Sequence, residues 1–201
     1  MSDANDPAPG DLQVVQSLVN TADLEAGTDS IADPAGLAGW LREHGLVGRD
    51  DTFSPQDVER VLAFREALRR LLMAHNGAEV DPDAVATLEA AARASHVVVT
   101  FGPDGAPDLA PAGGGVGGAL ARVLGIIAQA EVDGTWARLK ACPADDCQWA
   151  FYDSSRNRSR TWCTMSVCGN RAKARAYRRR AAGRDAGETG SKAGGTPARR
   201  H

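Results

Sequence analysis

All four cysteines of the chain fall between residues 142 and 168. They form two close pairs, Cys142-x4-Cys147 and Cys163-x4-Cys168, with fifteen residues between them. A short segment carrying two such pairs has few ways to fold. Each pair makes a tight knuckle, and the loop between them brings the knuckles together so that four thiolates reach one tetrahedral ion. Zinc is the expected metal, because four soft sulfur ligands at about 2.3 Å suit it. A shell of four cysteines is closed, so the ion is structural and leaves no place for a catalytic water. An iron–sulfur cluster, a pair of disulfides and a redox switch are the competing readings of the same spacing. Few large apolar side chains accompany the cysteines, chiefly Trp149, Phe151 and Trp162. Metal binding must then supply much of the folding free energy of this module, on the order of 10–16 kcal/mol in zinc-finger peptides.

Charge divides the chain at the same place. Residues 1–137 carry 8 Lys/Arg and 21 Asp/Glu, a balance of −13, and residues 138–201 carry 15 and 5, a balance of +10; together these make the net −3. An acidic body with a basic end suggests a polyanion-binding segment, and nucleic acid is the usual polyanion. A solvated basic helix that binds nothing is the plainer alternative. The N-terminal "MSDANDPAPGD" is acidic and lacks the apolar core of a secretory signal. No uninterrupted apolar run approaches the ~18 residues of a membrane span. A cytoplasmic location, with reduced thiols, is the default expectation.

Upstream of the cysteines the pattern is mostly helical. "DLQVVQSLVNTADLEA" places Leu12, Val15, Leu18, Val19 and Ala22 on one face. Asp33-Pro34, Ser54-Pro55 and Asp81-Pro82 each read as a cap followed by a first-turn proline. The strongest helix follows Ser54, with Val58, Val61, Leu62, Leu68, Leu71 and Leu72 as its buried stripe. The period then changes, and "HVVVTFGPDGAPDLAP" predicts a β-hairpin. After a glycine-rich loop the chain returns to helix, then to short strands and knuckles from Trp136, then to a basic helix reaching about Ala182. The expected fold is α+β: a mainly helical N-terminal domain with a small antiparallel hairpin, then a treble-clef-like zinc module. The expected divisions are a disordered 1–10, a front domain at 11–137, the zinc module at 138–182 and a disordered basic tail at 183–201.

The segment "RTWCTMSVCGNRAKARAYRRR" resembles the CGNR zinc finger, whose pattern is Trp-Cys-Ser-Met, then Cys-Gly-Asn-Arg, then a basic helix. Trp162, Cys163, Thr164 and Met165 fill the first part, with Thr for Ser, and Cys168, Gly169, Asn170 and Arg171 fill the second. Asp153 with Ser154 and Ser155 resembles the Asp-x-Ser step of that family. The upstream "LVNTAD" and "LAGWLREHGL" look like the ABATE domain that usually precedes this finger. The resemblance implies a stress-induced bacterial transcription regulator that binds DNA.

Arginine is well suited to such a role, since it can contact phosphates and guanine edges. Arg171, Arg175 and Arg178 recur at helical spacing, with Lys173, Arg179 and Arg180 around them. Arg156, Arg158 and Arg160 alternate in the loop, so an extended loop would place all three on one face. Together these nine cations are the expected nucleic-acid contacts. Asn170 and Arg171 are also candidates to hydrogen-bond the knuckle backbone behind the metal. A protein-interaction module without nucleic acid, and an RNA-binding protein, are the rival readings.

In the front domain Arg65 sits inside an apolar stripe. A cation there needs a partner or a route to water. It is either an internally paired arginine or the anchor of a small anionic ligand, with Asn20 and Thr21 beside it. The run "GGGVGG" at 113–118 lacks the surroundings of a nucleotide loop and reads as a hinge before a helix. His44, His75, His96 and His201 form no catalytic or metal-binding pattern, so no catalytic residue is assigned and no enzyme is expected.

Overall fold

The computed structural model describes residues 6–189. Six α-helices are accompanied by three two-stranded antiparallel sheets. Helix α1 is Leu12–Val19, followed by a miniature hairpin of β1 (Ala22–Asp23) and β2 (Thr28–Asp29). Helices α2 (Pro34–Glu43), α3 (Pro55–Ala74) and α4 (Pro82–Ser95) come next. The predicted hairpin is β3 (Val97–Phe101) and β4 (Pro107–Pro111), and α5 spans Gly115–Val132. The last part holds β5 (Leu139–Ala141), β6 (Ala150–Tyr152) and α6 (Asn170–Thr189).

Three helix starts follow directly from side-chain chemistry. Asp33 accepts from Gly36 N, Asp81 accepts from Asp83 N, and Ser54 with Asp57 forms a reciprocal capping box. Each meets donors that a helix N-terminus leaves without partners, worth about 1 kcal/mol apiece. The glycine run at 113–118 has local reasons too. Gly115 takes φ +62°, and a Cβ on Gly118 would collide with the Gly113 carbonyl oxygen.

The core is formed by α1, α2, α3 and α5. Leu12, Val15, Val19, Leu37, Val61, Phe64, Leu68, Leu72, Val116 and Val123 are buried in it. Leu62 and Leu71 of the predicted stripe are only partly buried, and Phe64 joins the stripe. Helix α5 is long and apolar enough to cross a membrane by length and composition, although Arg122, Gln129 and Glu131 interrupt its apolar run. It packs against α1, α3, α4 and β4, as a core helix does.

The same core continues into the last part of the chain. Leu139, Ala141 and Ala150 belong to it, because β5 packs on α3 and β6 on α1. Residues 6–10, expected to be disordered, also pack there: Ala8 is buried, and its N–H donates to Gln16 Oε1 at 2.6 Å. At the other end α6 runs past Ala182 to Thr189. The remainder of both expected tails, residues 1–5 and 190–201, lies outside the described residues.

Candidate metal centre and the basic surface around it

The first knuckle connects β5 to β6. Cys142 N–H donates to Trp149 O at 3.0 Å, and Cys147 N–H donates to Ala144 O at 2.9 Å. Gln148 then takes φ +49°, which turns the chain back into β6. In the second knuckle Cys163 precedes a wide π-type turn, Met165–Gly169, that carries Cys168 into α6. All four Sγ atoms lie within 4.8 Å of one another, with Cys147 and Cys163 at 3.5 Å and Cys163 and Cys168 at 3.6 Å. A disulfide needs about 2.05 Å between sulfurs. Tetrahedral zinc with Zn–S near 2.3 Å places its sulfurs about 3.8 Å apart. The four buried thiols therefore fit one structural zinc ion, and the spacing leaves no sulfur pair bonded.

Four sulfurs this close cannot share negative charge without a cation. Hydrogen bonds from Cys147 and Cys163 push the pKa of Cys142 well below the ordinary thiol range. The thiol of Cys147 is pushed up by the same contact, as is that of Cys163. Burial, then Cys163, pushes Cys168 up to about 12. A divalent ion relieves this by making all four sulfurs anionic ligands at once.

Behind the sulfurs lies a buried ion pair that sequence reasoning did not single out. Lys140 Nζ is 2.7 Å from Asp153 Oδ2, and both residues are buried. Burial raises the Asp153 pKa, but Lys140 and Ser155 outweigh it and hold the carboxyl below its ordinary range. Asp153 also accepts from Ser155 N, Ser155 Oγ and Arg160 N. Lys140 also donates to the Arg158 and Arg160 carbonyls, at 2.7 and 3.1 Å. One ion pair thus shapes the whole arginine loop. The Asp-x-Ser step pointed to Asp153; Lys140 had no signal beyond being a charge between Leu139 and Ala141 in a short strand.

That loop is a turn, not an extended strand: Arg158 has φ +52°, so its three arginines do not share a face. Arg156 and Arg158 are exposed, whereas Arg160 turns inward. Its guanidinium donates to the Trp162 and Cys163 carbonyls and lies 5.1 Å from the Phe151 ring centre. Arg160 thus holds the knuckle backbone, the role expected of Arg171. Asn170 Nδ2 donates to Ser166 O at 3.0 Å.

Arg171 instead forms ion pairs with Glu25 at 2.8 Å and Asp146 at 3.3 Å, and Arg175 approaches Asp146 at 3.9 Å. The expected stripe of Arg171, Arg175 and Arg178 is therefore the inward stripe for its first two members. A helical period of 3.6 puts Lys173, Tyr177 and Arg180 on the opposite side, and all three are exposed. Arg178 and Arg179 are exposed as well. Arg156, Arg158, Lys173, Arg178, Arg179 and Arg180 form no ion pair among the described residues.

The ligand-anchor reading of Arg65 does not survive. Arg65 is 4% exposed, and its charge is met by Asp29 at 2.8 Å and Glu66 at 2.8 Å. Thr21 Oγ1 accepts from it at 3.1 Å. Asn20 joins the two halves of the chain, since Nδ2 donates to Ala150 O at 2.9 Å and Oδ1 accepts from Ala150 N at 2.7 Å. Arg69, which drew no notice in the sequence, is buried and donates to Val19 O at 2.7 Å and Gln148 O at 2.9 Å. Asn76 donates to Ala141 O and Thr161 O, and His75 meets Leu139 O. His44, His75 and His96 are each the C-terminal cap of a helix.

Two known families match the chain. Residues 138–181 match the CGNR zinc finger. Residues 12–134 match ABATE, described as "Putative stress-induced transcription regulator". None of the curated proteins matches the chain.

Proposed function

The chain belongs to the ABATE family and carries a CGNR zinc finger, and from that premise we propose that it is a zinc-dependent, DNA-binding regulator of transcription in the cytoplasm. One observation carries the reading: six exposed cations, on α6 and the adjacent loop, that no acid of the described chain neutralises. They are Arg156, Arg158, Lys173, Arg178, Arg179 and Arg180. Cations with internal partners contribute little to a phosphate surface, and Arg160 and Arg171 already have theirs. Residues 138–182 hold 11 Lys/Arg and 3 Asp/Glu, a balance of +8. The front domain is acidic and repels DNA, which confines binding to the finger. Exposed Tyr177, between Lys173 and Arg180 on the outward face, offers a ring for contact with a sugar or base.

The zinc supports binding indirectly. It fixes the second knuckle, from which α6 starts, and so holds the helix and the arginine loop in one arrangement. The rest of the chain acts as the body that positions this surface and as its regulatory part.

Salt titration of DNA binding by the full-length, zinc-loaded protein tests the proposal. Six neutralised phosphates predict a slope of log K against log salt near −5 on duplex DNA. Changing Lys173 and Arg180 together to Gln should bring that slope to about −3 to −4, while Arg171→Gln should alter it little. A slope near zero for the unmodified protein defeats the proposal.

A further inference from the structure

The β3–β4 hairpin has one edge closed by its sequence and one edge left open. Ala112 N donates to His96 O, and Gly102 N donates to Ala106 O. In the observed register these bonds put Val98 and Thr100 in the pairs that bond across to β4. The backbone groups of Val97, Val99 and Phe101 then point away from β4, and those of Pro107, Leu109 and Pro111 point away from β3. On β4 the outward positions are two prolines around one leucine, and proline has no N–H to offer an incoming strand. On β3 the outward positions belong to an uncharged Val-Val-Val-Thr-Phe strand with none of the devices that protect an edge. Among the described residues no backbone bond is made to the outward groups of Val97, Val99 and Phe101.

We infer that the free edge of β3 pairs with β3 of a second copy of this chain, joining two hairpins into one four-stranded sheet about a two-fold axis through Val99. The three outward positions are symmetric about Val99. Antiparallel pairing therefore matches Val99 with its own copy and Val97 with Phe101 of the other, so the outward-bonding pairs are apolar, and Val98 faces Thr100 between them. The hairpin turns, with Asp104, lie at opposite ends of the joined sheet, and no like charges meet.

Exposed area sets the strength of the contact. Val97, Val98, Val99, Phe101 and Leu109 are 37, 41, 59, 71 and 46% exposed. They present on the order of 400 Å² of apolar surface, a size at which such a patch is often a contact site. A stable interface needs about 800 Å² per partner, so strand pairing alone supplies about half. Pairing of the two β3 edges is therefore a weak contact that forms as concentration rises.

Sedimentation of the full-length, zinc-loaded protein over a concentration series tests this. The unmodified protein should become a dimer as concentration rises. Val99→Pro removes an outward N–H without touching the bonds to β4, and Val99→Lys places two like charges on the axis. Each should raise the dimer dissociation constant by about tenfold or more, with zinc content unchanged. If the proline variant fails to fold, the lysine variant alone decides. Val80→Lys, at a valine also 59% exposed but in the loop before α4, should leave the dimer intact. A protein that stays monomeric throughout overturns the inference and leaves the edge to a strand from another protein. A dimer that survives both Val99 substitutions overturns it as well.

Discussion

The front domain and the zinc finger bury charge in opposite settings. Arg65 lies in a long helix within a large apolar core, and its partner Asp29 keeps its side chain 24% exposed. Lys140 and Asp153 lie in a module whose own core is Phe151, Ala144 and four cysteines, with Trp149 and Trp162 alongside, and Asp153 has no exposure at all. Where apolar area is plentiful, a buried cation can be a local accommodation with a route to water. Where it is scarce, the ion pair and the metal are themselves the framework. The two regions are then joined by polar contacts through Asn20, Arg69, Asn76 and His75, and by packing of β5 on α3.

Removal of the metal should separate the regions most sharply. Chelation, or Cys163→Ser, withdraws stabilisation of the order of 10 kcal/mol or more from the finger. Amide exchange should then accelerate across residues 138–181 and remain slow in α3 and α5. Equal loss of protection in both regions would show that the docking contacts make them one cooperative unit.

Breaking the two ion pairs gives the next largest difference. Asp153→Ala leaves Lys140 buried without a counter-charge and should cost about 3–5 kcal/mol. Asp29→Ala should cost only about 1 kcal/mol, because Glu66 remains on Arg65 and the site reaches water. Denaturant melts of both variants check the ordering. Acid should act through the same residue. The folded pKa of Asp153 lies below the ordinary 3.8, so its stabilisation is complete above that value and is lost as pH falls through the folded value.

The smallest effect lies at the junction between the regions. Burial lowers the His75 pKa from 6.5, against the raising influence of Leu139 O and Glu131; Lys140 lowers it further. The unfolded chain therefore takes up a proton near pH 6.5 that the folded chain refuses. Stability should be complete above pH 6.5 and should decline as pH drops from there toward the folded value. The melting temperature of His75→Gln should be flatter across that window.

Much of this was legible in one dimension. Caps at Asp33, Ser54 and Asp81, the hairpin at 97–111 and the four sulfur ligands each depend on residues a few positions apart, where local geometry dictates the outcome. The roles of the arginines were not legible. Arg160 holds the knuckle through the Cys163 carbonyl, three positions away, while Arg171 pairs with Glu25, 146 positions away. Arg69 is silent in the sequence because an arginine on a helix looks solvated until Val19 and Gln148 present their carbonyls to it.

The sequence by itself determined the metal, its ligands, the helix starts and the excess of positive charge at one end, because spacing and composition suffice for each. Only the tertiary structure decided which cations are spent inside the protein and which face outward. It also decided that the finger is docked on the front domain and not tethered beside it. Charge pairing depends on distances in space between residues far apart in the chain, and no local pattern encodes those distances.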